Sequence, residues 1–361
     1  MEVVLAQAAG FCYGVKRACQ VAFEAAQTHP GGVSSLGPII HNPQMVARLA
    51  EAGLKVIGDL EQAPVGAVLI RSHGVPPEVF GELRRRGFEV VDATCPLVQR
   101  AQRLAESLAA EGYRVVVVGE PEHPEVKALV AWADAGRKPD APGAAVVQTF
   151  ADAAALSRAK RIGVVAQTTQ LEEEYARLVG ELLKCADELK VYNTICDATA
   201  KRQRAMLDLL GEVEGMVVVG GRNSANTTRL YERCREMRVR AWHIETAEEL
   251  EPAWFAGMRR VGVTAGASTP DWIIEEVVER LRNLAKLRGG DLPSFHGDGP
   301  GGGALTTAED GCTHMIYDMG SSFMRWLVDT QGGIDTYRAV VEELKRGVTL
   351  DQALETATGQ S

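Results

Sequence analysis

Three times in this chain an apolar segment runs into a short polar turn, then one cysteine, then an amphipathic helical pattern. VVLAQAAGFC leads into YGVKRACQVAFEAA, EVVDATC into PLVQRAQRLAESLAAEG, and LKVYNTIC into DATAKRQRAMLDLLGEV. In the first, Val15, Ala18, Ala22 and Ala25 share a helical face. In the second, Leu97, Ala101, Leu104 and Leu108 give the stripe, and Gly112 stands where a helix C-cap is expected. In the third, Met206, Leu209, Leu210 and Val213 do the same.

The recurrence continues beyond the cysteines. A second strand-to-loop step follows each by 29, 28 and 28 residues, reaching His41, His123 and Ser224. A third step takes AVLIR to Ser72-His73-Gly74, RIGVVAQ to Thr168-Thr169-Gln170, and RRVGVT to Ala265–Ser268. Helical patterns follow, opened by Pro76 and Pro77 in one copy and Pro270 in another, as suits a first helical turn. Residues 12 to 283 therefore read as three strand–loop–helix triplets, too long for solenoid repeats. The predicted fold is α/β: three small modules about a pseudo-threefold axis, over residues 1–94, 95–195 and 196–283. Ligands of open α/β sheets bind beyond the carboxyl ends of the strands, and all nine motif loops fall there.

Residues 284–361 belong to no repeat. HGDGPGGGALTT (296–307) reads as a flexible linker and the rest as a helical extension. YDMGSSFMRWLVDTQGG with VTLDQALETATG resembles the last helices of gluzincin peptidases, but HExxH is absent and peptidase activity is not expected.

Composition narrows the function classes. A net charge of −9 and 6% aromatic residues argue against nucleic-acid binding. No apolar run is long enough to span a membrane, and the N-terminus lacks the basic start of a secretory signal. Seven cysteines, an odd number without a signal, point to the cytoplasm and to metal binding rather than a disulfide framework.

If the modules converge, Cys12, Cys95 and Cys196 face one cavity. Thiolates select zinc, copper(I) or an iron–sulfur cluster, and three leave one coordination position open. A helix start behind each favours the thiolate. Cys19, Cys185, Cys234 and Cys312 lack equivalents in the other repeats and read as structural or incidental. His41, His73, His123, Glu125, Thr168, Thr169, Ser224, Asn226 and Ser268 surround the open position, without Lys or Arg. Hydroxyls, helix N-termini and protonated histidines suit a phosphate. Glu125, the one carboxylate, is the natural proton donor. The inventory fits reductive removal of a hydroxyl from a phosphorylated substrate. His29, His243 and His296 fit no repeat position and read as surface or loop residues.

GFCYGVKRA, HNPQMV, RSHGV, DATCPLV, EHPEV, AQTTQ, ICDATAKRQ, GGRNSANTTRL and VTAGAS together resemble the 4-hydroxy-3-methylbut-2-enyl diphosphate reductase (IspH/LytB) family, over residues 1 to 283. The resemblance implies a [4Fe–4S] cluster held by Cys12, Cys95 and Cys196. It implies a substrate site of His41, His73, His123, Thr168, Thr169, Ser224, Asn226 and Ser268, in which Glu125, His123 and Thr168 are catalytic. Glu125 would supply protons and Thr168 would order the substrate hydroxyl. Ferredoxin or flavodoxin would supply two electrons, giving isopentenyl and dimethylallyl diphosphate. Ala225 stands where some members carry a second serine. Two other functions compete: a hydro-lyase on a three-cysteine cluster, as in quinolinate synthase, and a redox sensor. The HNP, HPE and SAN loops favour the diphosphate over the first, and Glu125 beside His123 argues against the second.

Overall fold

A computed structural model describes residues 1–288 except 30 and 65, and of 287 and 288 the backbone alone. The chain divides into two units, Met1–Leu292 and Pro293–Ser361, and every described residue belongs to the first. The glycine-rich segment, the extension, His296 and Cys312 lie outside the described residues.

In chain order the elements are β1 (Glu2–Leu5), α1 (Tyr13–Thr28), β2 (Val33–Leu36), α2 (Pro43–Glu51), β3 (Leu54–Ile57), β4 (Ala67–Ile70), α3 (Pro77–Arg85) and β5 (Glu89–Asp92). Then come α4 (Pro96–Ala110), β6 (Arg114–Val118), α5 (Pro124–Gly136), β7 (Ala145–Val147), α6 (Phe150–Ala155), β8 (Ala159–Ala166), α7 (Glu172–Leu182) and β9 (Ala186–Val191). The last are α8 (Asp197–Leu210), β10 (Gly215–Val219), α9 (Ala225–Glu236), β11 (Arg240–Ile244), β12 (Arg260–Ala265) and α10 (Asp271–Arg288).

The strands form three four-stranded sheets, ordered β3-β2-β4-β5, β7-β6-β8-β9 and β11-β10-β12-β1. Every strand pair is parallel. The same order recurs three times, with β1 serving as the fourth strand of the third sheet. Glu2 to Leu5 pair with Arg260 to Val263. This corrects the start of the first module and leaves the division at residue 94 in place: the strand ahead of Cys12 belongs to the third module, not the first. The strands ahead of Cys95 and Cys196, β5 and β9, likewise close the preceding sheet. At the other end, α10 runs past residue 283 to Arg288.

Parallel strands connected by helices are covered on both faces, which explains their almost unbroken apolar sequences. Alternate side chains of each strand enter opposite cores. Ala67 and Leu69 pack under α1 and α2, while Val68 and Ile70 meet Val75 and Leu83. Val115 and Val117 pack against Leu108 and Leu129, and Val116 and Val118 against Tyr175 and Leu178. Val217 and Val219 join Ile273 and Val277 of α10, and Met216 and Val218 join Met206 and Leu230. Each fully buried Val or Leu contributes about 1.5–3 kcal/mol.

The buried face of α4 differs from the predicted stripe. Val98, Ala101, Ala105 and Leu108 are inside, whereas Leu97 is 41% exposed. Pro96 starts the helix, and the inward face is set by the i, i+3, i+7, i+10 series from Val98. Gly112 follows the end of α4 at φ +87°, the left-handed geometry expected there. His243, expected on the surface or in a loop, is half-buried on β11, with Nε2 2.9 Å from the Gly220 carbonyl oxygen. His29 sits at the C-cap of α1, 3.2 Å from the exposed Glu89.

Candidate active site

All twelve predicted site residues line one cavity of about 720 Å³, open mouth included. They reach it because the carboxyl ends of all three sheets converge there. Cys12, Cys95 and Cys196 are the N-cap residues of α1, α4 and α8. His123 and Ser224 cap α5 and α9, placing their polar atoms at helix starts.

The cysteines form the floor. The Val15 N–H donates to Cys12 Sγ at 3.4 Å. Gly14 makes the close approach possible: a Cβ there would lie 2.5 Å from Cys95 Sγ and 3.9 Å from Cys12 Sγ. Burial pushes the thiols of Cys95 and Cys196 up, and the neighbouring sulfurs add to this. N–H groups of Leu97 and Val98, and of Ala198 and Thr199, pull the other way. The helix starts thus favour the thiolates as expected, but desolvation outweighs them.

A single ion fits this floor poorly. Two sulfurs bound to one zinc at ~2.3 Å cannot be further apart than about 4.6 Å. Among the described residues, the group with all ligand atoms within 4.8 Å of one another is His41, His73 and His123, not the cysteines. Three thiolates around a wider cradle, with no room for a Cβ at Gly14, fit a multi-iron cluster. Cys19 is no fourth ligand, being buried with Ala18, Ala22 and Ile39 in the first module's core, its thiol pushed up to about 12 by burial.

The histidines form one wall, with ring centroids 4.4 to 5.6 Å apart. Both ring nitrogens of His41, Nδ1 of His73 and the whole Asn226 carboxamide are buried without a hydrogen-bond partner. Such orphans each cost about 1–3 kcal/mol unless a ligand satisfies them. His123 distinguishes metal from phosphate. Its Nδ1 accepts from the Glu125 N–H at 3.2 Å, so this hydrogen-bond network assigns the hydrogen of the neutral ring to Nε2. A ring in that tautomer donates to an oxyanion and offers no lone pair to a metal.

The sequence lets the histidines add charge if protonated; in the free site they are held neutral. Burial pushes His41 down to about 4 and His123 to about 3, and His73 lies well below its ordinary range. Arg71 adds to the effect on all three, His41 to that on His73 and His123, His123 to that on His73, and Arg229 to that on His123. At neutral pH the wall is made of neutral donors.

Ser268 Oγ lies 3.2 Å from the His41 carbonyl oxygen and 3.4 Å from Ser224 Oγ, joining the first and third modules. Ser224 also accepts from the Thr227 N–H at 3.4 Å, so it caps α9 and faces the cavity at once. Glu125, also lining the cavity, is 2% exposed. Its carboxylate accepts from the Thr168 N–H at 2.6 Å and the Thr168 hydroxyl at 2.9 Å. Burial raises it to about 7 despite both bonds and Arg229 nearby.

Arginines are the residues that sequence reasoning missed. Arg71, beside Ser72 and His73, enters no ion pair among the described residues, and its Nε is buried without a partner. Gly37, at φ +79°, leaves it room: a Cβ there would lie 2.7 Å from Arg71 Nη1. Arg229 pairs with Glu120 and donates from Nη1 to the Thr169 carbonyl and hydroxyl oxygens at 2.9 Å, bridging the third module to the second. Gln167 Nε2 also donates to Thr169 Oγ1, at 2.9 Å. The signals were present, Arg71 within RSHGV and Arg229 one turn past Asn226, but neither belongs to a threefold pattern.

Against this geometry, the sequence matches the LytB protein family over residues 3–282. It is 51% identical over 290 residues to the 4-hydroxy-3-methylbut-2-enyl diphosphate reductase of Geobacter sulfurreducens, covering 80% of this chain and all of that one. With the reductase of Aquifex aeolicus it shares 46% over 286 residues, 79% of this chain and 98% of the other. A solved structure of the (E)-4-hydroxy-3-methyl-but-2-enyl diphosphate reductase, the terminal enzyme of the non-mevalonate pathway, superimposes with a TM-score of 0.59 at 46% identity, over 78% of this chain and 100% of that one. The Plasmodium falciparum E-1-hydroxy-2-methyl-but-2-enyl-4-diphosphate reductase shares the fold, with a TM-score of 0.71 at 23% identity over 88% and 98% of the chains.

Proposed function

Because the chain belongs to the LytB protein family, we propose that it reduces 4-hydroxy-3-methylbut-2-enyl diphosphate, the last step of the non-mevalonate pathway. The observation that carries this reading is a set of buried donors without partners, in His41, His73 and Asn226, sharing a cavity with three cysteine sulfurs and one protonatable carboxyl group. An anion site, an electron-transfer floor and an acid are the parts this reaction needs.

Cys12, Cys95 and Cys196 would hold a [4Fe–4S] cluster, which when bound supplies electrons and an open iron position for an oxygen ligand. His41, His73, His123, Ser224, Asn226 and Ser268 bind the diphosphate, His123 donating from Nε2. Thr169, its hydroxyl fixed by Gln167 and Arg229, borders the same site. Glu125 holds a proton at its carboxyl group, hydrogen-bonded to Thr168 Oγ1, and that hydroxyl orients the substrate's own. The allylic C–OH takes up two electrons and two protons. One proton leaves with the hydroxyl as water, and the other goes to the allyl carbon, giving isopentenyl or dimethylallyl diphosphate. Ferredoxin or flavodoxin is the proposed electron source, and the cytoplasm the proposed compartment. No described helix is long and apolar enough to cross a membrane.

The test is anaerobic purification with iron and sulfide analysis, then turnover of the diphosphate with dithionite. Broad visible absorption that Cys95→Ser abolishes, and reductant-dependent loss of substrate, are expected. A colourless zinc protein, or water loss without consumption of reductant, overturns the reading.

A further inference from the structure

The reaction needs electrons from outside the chain, and the surface over the three cysteines differs from the rest of the molecule. Each cysteine caps a helix, so the residues after it are the nearest outer surface to whatever the sulfurs hold. Tyr13, next to Cys12, is 74% exposed, and Leu97, close after Cys95, is 41% exposed. One turn further on, each helix carries an exposed cation: Lys16, Arg100 and Lys201. The first nine residues of α1, α4 and α8 hold seven basic residues and one acid, Asp197, in a chain with 39 basic and 48 acidic residues.

The three exposed cations are weakly committed. Among the described residues Arg100 and Lys201 enter no ion pair, and Lys16 meets Asp271 at 3.8 Å with both side chains 58% exposed. Arg204, further along α8, pairs loosely with Glu172 at 3.7 Å. The helix starts are also held together. Arg17 Nη1 donates to the Thr94 carbonyl oxygen at 3.2 Å, and buried Arg202 donates to that of Gly10. Val15, Leu97 and Thr199 line one cavity.

An exposed apolar centre with a cationic rim, set directly over a redox group, has the character of a transient electron-transfer interface. Such contacts are small and gain their speed from charge steering. We infer that this face docks an acidic electron-carrier protein, with Tyr13 and Leu97 at the centre and Lys16, Arg100 and Lys201 on the rim. This rests on the reading that the cysteines hold a redox cluster. Each encounter oxidises one reduced carrier by one electron, and two encounters supply the two electrons that, with two protons, turn C–OH into C–H and water.

The experiment titrates isotopically labelled, oxidised flavodoxin with the cluster-loaded protein, following chemical-shift changes at low and high salt. Wild type should bind more weakly as salt rises. The triple variant K16E/R100E/K201E should bind at least about tenfold more weakly, with little remaining salt dependence. Its dithionite-driven turnover and visible absorption should match wild type, since none of the three lines the cavity. Salt-independent wild-type association, or unchanged affinity in the triple variant, overturns the proposal. If the triple variant loses its absorption, the single variants R100Q and K201Q carry the same comparison: weaker association supports the face and unchanged association overturns it. A wild type that binds flavodoxin but fails to turn over with dithionite refutes the proposed reaction and not the docking face.

Discussion

Glu125 shows how one residue's surroundings set its chemistry. It opens α5, where a carboxylate would normally be stabilised, yet burial lifts it to about 7. Its useful form is the protonated one, so turnover should fall as pH rises through about 7. Glu125→Gln should retain visible absorption and substrate affinity while kcat drops by about 10²-fold or more, and its profile should lack that limb. Anaerobic kinetics across pH checks both. His41 is shifted the opposite way. Free, it is neutral above about 4; a bound diphosphate favours its protonated form, while His123 stays neutral with Nδ1 accepting from the Glu125 N–H. The bound state then holds more protons than the free one, so diphosphate affinity should rise as pH falls from 8 toward 6, with proton uptake on binding. Calorimetry in buffers of different ionisation enthalpy measures that uptake, and a pH-independent affinity would contradict it.

At the scale of the element, the site is nine loops at the ends of nine parallel strands, and most of this was legible in the sequence. The cysteines and the loops 28 or 29 residues after them repeat, and repetition marks what chance does not. What repetition could not mark stayed hidden. Arg71 reads as an ordinary cation after a strand, because its unpaired burial depends on the space that Gly37 leaves. Leu97 looked like core because it is apolar and near a helical register, but the helix begins at Pro96 and faces Val98 inward. Gly14 gives a prediction of its own. An alanine in the first turn of α1 should raise helix stability by up to about 1 kcal/mol. Its Cβ would meet Cys95 Sγ at 2.5 Å. That clash is present without metal as well, so Gly14→Ala should leave the melting temperature of the metal-free protein unchanged or lower and should lose bound iron, as measured by calorimetry and iron analysis.

For the whole molecule, the threefold plan is closed by the chain's first strand. Val3 packs into one core of the third module and Val4 into the other. Nothing in EVVL names its neighbour, because alternation reveals buried faces and not which strand lies alongside. Removing residues 1–6 should therefore act as a core deletion in the third module and not as a trimmed end. Loss of cooperative unfolding, or a fall in stability of several kcal/mol in denaturant titration, is the expected result. The pairing of Glu2 with Arg260 also fixes an order of events at the ribosome. The first strand emerges and waits while its partner is made, roughly 13–50 s later at 5–20 residues per second. Until then the third sheet lacks its fourth strand, and the loop that carries Cys12 has no finished module to rest on.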